Sequence, residues 1–237
     1  MSARTLLLSG AEALGVLLPP GAPERFDLYN AFLREKNEVM DLTAVLEEEE
    51  IVLRHFLDSL SLLTLAPFRD ARVLDVGSGA GFPGLPLLLA EPTIRLTLLD
   101  AQGKRVDFLR ELCEKLGAEA ECLHARAEEQ ALLPGYRDGY DIAVSRAVAR
   151  LNVLAELCLP FVKPGGRFLA MKSRDSDEEL AEAGKAISLL GGTLEGTAEY
   201  TVGDIPRRVA VIRKTRPTPK GYPRRFARIK KEPLGGP

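Results

Sequence analysis

The chain predicts an α/β fold: a doubly wound, mostly parallel sheet of seven strands, closed by an antiparallel terminal hairpin and preceded by an N-terminal helical extension. Three observations carry this reading. From Ala71 onward short apolar runs alternate with helical patterns, and each of the first five runs is followed by a helix, which calls for parallel strands joined by right-handed crossovers. The last two runs have only Gly203-Asp204-Ile205-Pro206 between them, so they pair as a hairpin. Between the first run and its helix lies Gly77-Ser78-Gly79-Ala80-Gly81-Phe82-Pro83-Gly84, a turn in which backbone can approach a ligand closely.

Taken in order, Met1 to Leu18 carries leucines interrupted by Arg4 and Glu12 and reads as an amphipathic helix rather than a signal peptide. Pro23 and Glu24 open a second helix, in which Phe26, Tyr29 and Leu33 share one face. Asp41-Leu42-Thr43-Ala44 breaks the period. A further helix, Ile51 to Leu65, follows the acidic run Glu47–Glu50, which suits a helix N-terminus. Arg54, His55, Asp58 and Ser59 fall on adjoining rows of that helix, so one face can present all four. Strands are predicted at Arg72–Val76, Arg95–Leu99, Ala118–Leu123, Tyr140–Ser145, Gly166–Met171, Thr193–Tyr200 and Arg208–Arg213. Helices are predicted at Gly84–Ala90, Lys104–Gly117, Arg126–Leu132, Leu151–Val162 and Asp177–Leu190. The expected organisation is a helical extension over 1–68, a ligand-binding domain over 69–214 and a basic tail over 215–237.

At 237 residues, with 46% hydrophobic and 28% charged side chains, the chain has the composition of a globular protein able to bury a good core. Its apolar stretches are too short to span a bilayer. Cys113, Cys122 and Cys158 show no metal-ligand spacing and read as reduced thiols of a cytoplasmic protein. The net charge of −2 hides an asymmetry: Arg207 to Lys231 holds eleven Lys or Arg and no acid, whereas residues 1–206 carry a balance of −12. A polyanion would meet the basic end. Within it, Thr215–Lys231 has three prolines and no helical period, and it sets Tyr222 and Phe226 among cations. It is expected to be mobile or draped on the body, and such a mixture suits single-stranded RNA.

The glycine turn discriminates between nucleotide-like ligands. A nicotinamide dinucleotide needs its pyrophosphate on bare amides at the helix N-terminus, yet Pro83 and Pro86 remove two donors there. Asp75, two residues before Gly77, places a negative charge beside the turn and suits a cation. S-adenosylmethionine carries a sulfonium and an ammonium, has no phosphate, and offers a ribose diol to Asp100 at the end of the second strand. Asp75, Gly77, Gly79 and Asp100, with Ala101 and Gln102 following, are therefore the candidate cofactor residues. The crevice rule adds residues just past the other strands: Ala125-Arg126-Ala127-Glu128, Ser145-Arg146-Ala147 and Lys172-Ser173-Arg174. A doubly wound sheet ending in an antiparallel strand describes the class I, Rossmann-like methyltransferase fold better than a dehydrogenase.

The motifs Asp41-Leu42-Thr43, Arg54-His55-Phe56-Leu57-Asp58-Ser59-Leu60, Asp75 through Gly84, Leu98 through Val106, Ser145-Arg146-Ala147, Met171-Lys172 and Arg208 through Ile212 together resemble the RsmG (GidB) family. The resemblance runs from about Tyr29 to Lys214. It departs from the family at Asp41, where Asn is usual, and at Met171-Lys172-Ser173, where a Lys-Gly pair is usual. It implies S-adenosylmethionine-dependent methylation of a guanine N7 in 16S ribosomal RNA by a cytoplasmic monomer, without membrane or metal. It also implies cofactor contacts at Gly77, Phe82, the backbone of Ala127 and Glu128, and Arg146. Arg146, Lys172 and His55 are the candidate catalytic residues, with Arg146 holding the cofactor end or the guanine edge. A NAD-dependent oxidoreductase and a non-catalytic ribosomal RNA-binding or assembly protein are the competing readings.

Overall fold

A computed structural model describes residues 1–146 and 148–236. Helix α1 (Ala3–Ala13) begins with Ser2, whose hydroxyl accepts from the Thr5 amide, and α2 (Ala22–Asn37) starts with Pro23 in its first turn. The predicted Ile51–Leu65 helix is not one regular helix. A short α3 (Glu48–Ile51) passes into a π-turn over Val52–Leu57, then α4 (Asp58–Leu60) and a 3-10 turn over Ser61–Thr64. A π-turn winds more residues per turn than an α-helix. Arg54, His55 and Asp58 still face one cavity, but the fourth residue expected on that face does not join them. Ser59 turns into the interior, where its hydroxyl donates to the His55 carbonyl at 2.6 Å.

Beyond this region sheet and helix alternate as predicted: β1 (Arg72–Val76), α5 (Gly84–Ala90), β2 (Arg95–Asp100), α6 (Gly103–Leu116), β3 (Ala120–His124), α7 (Ala127–Gln130), β4 (Tyr140–Arg146), α8 (Leu151–Cys158), β5 (Val162–Ser173), α9 (Asp177–Leu189), β6 (Gly192–Val202) and β7 (Ile205–Lys214). The seven strands lie in the order β3-β2-β1-β4-β5-β7-β6. The first five are parallel, and β7 is antiparallel to both β5 and β6. The hairpin turn Val202–Ile205 uses Gly203 at φ +58°. Alternation along each strand divides the interior in two. Val73, Leu96, Leu98, Ile142 and Val144 face a layer built by α1, α2, the π-turn, α5 and α6. Leu74, Leu99, Ala143, Phe168 and Ile212 face α8, α9 and the tail. The N-terminal helices thus share one continuous core with the sheet.

Of the two arrangements expected of the tail, mobile or draped on the body, the structure shows the second, with specific anchors. It crosses the face opposite the N-terminal helices and ends in a short helix, α10 (Phe226–Lys231), with Ile229 fully buried. Arg137 donates to the carbonyls of Thr218 and Tyr222 at 2.7 and 2.9 Å. Arg224 binds Glu156 of α8 with both Nε and an Nη, at 2.8 and 2.6 Å, and its backbone amide also donates to Glu156. Phe226 lies under the Arg126 guanidinium, 4.8 Å from ring centroid to Cζ. Tyr222 packs against the second core. Neither aromatic is free to stack on a base. Cys113 and Cys158 are buried and Cys122 is half-buried, with the sulfurs of Cys113 and Cys122 3.8 Å apart.

Candidate active site

The carboxyl ends of β1, β2 and β4 meet under the π-turn, and the glycine turn sits at their junction. The amides of Gly77 and Ser78 donate to the Leu99 carbonyl, which ties the turn to β2. Asp100 finishes the tie: one carboxylate oxygen accepts from the Gly79 amide at 3.0 Å, the other from the Gln102 amide at 2.8 Å. Gly77 has φ +75°, and a Cβ there would lie 2.5 Å from a Val148 methyl, so both backbone and space demand glycine. A cavity of about 450 Å³ opens above this turn. Gly77, Gly79, Phe82, Asp100, Ala101 and Gln102 line it on one side, and Thr43, His55, Arg146 and Val148 on the other.

Asp75 sits below that cavity and does not line it. It is fully buried, and one oxygen accepts from the Gly84 amide at 2.8 Å, capping the start of α5. Its other oxygen has no hydrogen-bond partner. Burial raises its pKa to about 7 against the pull of the Gly84 amide and the positive charge of Arg146. The carboxylate occupies the helix N-terminus that a pyrophosphate would need. The turn is therefore shut to a dinucleotide phosphate, while an unpaired acidic oxygen beneath it suits a cationic ligand.

Arg146, at the end of β4, is mostly buried, and burial lowers its pKa. It donates to the Arg54 carbonyl at 2.9 Å, lies 3.4 Å from an Asp58 oxygen and stacks over the Phe82 ring at 4.9 Å. His55 stands beside it. Its Nδ1 is 2.9 Å from the Arg54 carbonyl, which can only accept, so Nδ1 carries the proton. Its Nε2 then accepts from the Thr43 hydroxyl at 2.7 Å. Burial, followed by the positive charge of Arg146, holds its pKa down at about 3, so the imidazole is neutral at physiological pH.

His55 and Arg146 form a partition. Beyond them a second cavity of about 480 Å³ is lined by Arg54, Asp58, Met171, Lys172, Ser173 and Arg207. Lys172 reaches it already engaged, donating to the Ala149 carbonyl at 2.6 Å and to Glu179 at 2.5 Å. Ala127 and Glu128 open α7 past β3 and line neither cavity. The Glu128 carboxylate accepts from Arg126 at 2.6 Å. Ala147 lies outside the described residues. Sequence reasoning missed Val148 and Arg207. For Arg207 the basic run gave a signal, whereas nothing in the sequence singles out Val148 against Gly77.

A family model for GidB, rRNA small subunit methyltransferase G, matches residues 23–203. The chain belongs to that family. Relatives described as ribosomal RNA small subunit methyltransferase G are 45% identical in Acetivibrio thermocellus, over 98% of this chain and 96% of that one, and 44% identical in Alkaliphilus oremlandii, over 99% and 100%. A solved SAM dependent methyltransferase from Aquifex aeolicus superposes with a TM-score of 0.53 at 22% identity, covering 76% of this chain and 97% of that one. It shares the class I fold. Family membership makes the chain an S-adenosylmethionine-dependent methyltransferase and leaves the oxidoreductase and non-catalytic readings without support. The first cavity fits that cosubstrate: a glycine-only cradle, an acid at the end of β2 and an unpaired acidic oxygen below.

Proposed function

We propose that this chain transfers a methyl group to the N7 of a guanine in 16S ribosomal RNA, acting as a cytoplasmic monomer. The observation that carries the reading is the pair of adjoining cavities that share the His55–Arg146 partition. One is built around the glycine turn and Asp100, and the other is walled by Arg54, Lys172 and Arg207. The relatives' description as small-subunit ribosomal RNA methyltransferases supports the substrate class, and the family resemblance supports the atom.

When bound, S-adenosylmethionine supplies an electrophilic methyl on a sulfonium. Asp100 is placed to accept from a ribose diol while it holds Gly79 and Gln102, and Asp75 balances positive charge from beneath. Guanine N7 bears a lone pair and no proton, so its attack needs no general base. The partition agrees with that requirement: His55 is neutral with both nitrogens engaged, and the Arg146 guanidinium has no lone pair to accept a proton. What these residues supply is alignment, a source of rate worth up to about 7–11 kcal/mol when geometry is fully fixed. Arg146 holds the guanine by O6 alone, since the bidentate contact to O6 and N7 would occupy the attacking lone pair. Mass mapping of methylated nucleotides in 16S ribosomal RNA, from cells with and without the protein, tests the assignment. One N7-methylguanosine lost with the protein and restored with it is the expected result, and an unchanged map refutes it.

A further inference from the structure

Asp58 is the one buried acid in the wall of the second cavity. It lies on α4 directly after the π-turn and is 2% exposed. Three elements converge on it. The Tyr200 hydroxyl of β6 donates to one oxygen at 2.9 Å, and Nε of Arg207 on β7 approaches the same oxygen at 3.3 Å, an ion-pair distance without hydrogen-bond alignment. Arg146 of β4 reaches the other oxygen at 3.4 Å. Two guanidiniums from opposite sides of the cavity thus share one carboxylate, at distances longer than those of a closed bidentate pair. Such contacts aim an arginine without saturating its five donors.

We propose that Asp58 is a positioning residue that keeps Arg146 and Arg207 directed into the cavity and withholds them from phosphate. This rests on the assignment of RNA as substrate. Without the carboxylate, both cations become free to pair with whichever phosphates lie nearest. RNA then binds more tightly and less productively. A purely structural Asp58 would weaken binding, turnover and stability together. An Asp58 that holds two arginines back instead separates affinity from turnover, in opposite directions.

The test uses the full chain with Asp58→Asn, which keeps the shape and removes the charge. Three readouts are taken: S-adenosylmethionine affinity by calorimetry, RNA affinity over a salt series, and single-turnover methylation. The expected result is unchanged S-adenosylmethionine affinity and turnover lowered at least tenfold. RNA affinity should rise at low salt, with a log–log salt slope steeper by about 0.7–1.4, one to two extra phosphate contacts at the single-strand value. Asp58→Glu, which restores the charge, should return the slope toward wild type. Should Asp58→Asn not fold, Tyr200→Phe removes only the hydroxyl that fixes the carboxylate, and should lower turnover roughly threefold to tenfold with the slope unchanged. Wild-type turnover in the folded variant, or a turnover loss accompanied by weaker RNA binding, overturns the proposal. A wild-type protein inert on small-subunit RNA removes the substrate assignment and this proposal with it, whereas an active wild type beside an unaltered variant removes the role of Asp58 alone.

Discussion

Asp75 offers the clearest quantitative test of how the site is built. A carboxyl group whose pKa rises from 3.8 to about 7 on folding binds its proton more tightly in the native state. The stability that this protonation contributes is fully present below pH 3.8. It is lost progressively as pH rises to about 7, with no further change above. At 1.36 kcal/mol per pH unit the rise amounts to about 4 kcal/mol. Asp75→Asn keeps an acceptor for the Gly84 amide and cannot ionise. The melting temperature of the variant, relative to wild type, should therefore be higher at pH 8 than at pH 4, by roughly 8–16 °C for a chain of this length. Binding of a cation above the turn should draw the proton off Asp75. Wild-type affinity for S-adenosylmethionine is then expected to climb between pH 5 and 8, whereas the variant binds more weakly and without that climb. Melting scans and calorimetry across that range read both effects. Parallel pH profiles for the two proteins would show that Asp75 does not titrate with folding and would refute the reasoning.

Two further outcomes follow from contacts already described. Asp100→Ala strips acceptors from the Gly79 and Gln102 amides as well as from the cosubstrate ribose, and should weaken S-adenosylmethionine binding by about 1–3 kcal/mol in calorimetry. Unchanged affinity would place the diol elsewhere. Arg224→Met leaves the Glu156 carboxylate, which is 0% exposed, without its counter-ion, and should cost about 3–5 kcal/mol in denaturant unfolding, and a variant within about 1 kcal/mol of wild type would show that the tail is not anchored there.

The parallel strands were legible because each is a short apolar run bounded by turn residues. β1 and α5 begin and end where periodicity places them. The sequence places the fifth strand at Gly166–Met171, after a helix running to Val162. In the structure β5 begins at Val162, with a register shift against β4 between Tyr140 and Ile142. The π-turn left no trace in composition, since it changes hydrogen-bond register and not residue type. Hence Ser59 was expected beside His55 and points inward instead. Gly77, Asp100 and Arg146, singled out from glycine spacing and strand ends, and Phe82, singled out by the resemblance, line one cavity. Asp75 was read as a charge beside the turn, but its cap on Gly84, a contact across nine residues, is one that a motif does not reveal. For the tail the sequence left mobile and draped open, because its prolines and cations do not settle the choice and the acid that anchors it lies 68 residues upstream.

The Arg224–Glu156 pair also bears on the order in which the chain can mature. During synthesis α8, with Glu156 on its inner side, leaves the ribosome well before the arginine that neutralises it. Until residues near 224 emerge, the second core can close only over a naked carboxylate, which is costly, or remain open. Lys214 makes the same demand, since its fully buried ammonium is satisfied by Leu159 and Thr218 and burial lowers its pKa to about 8. The layer holding α8 and α9 thus closes without a buried, unpaired charge only once residues around 224 have been made, 68 residues after Glu156.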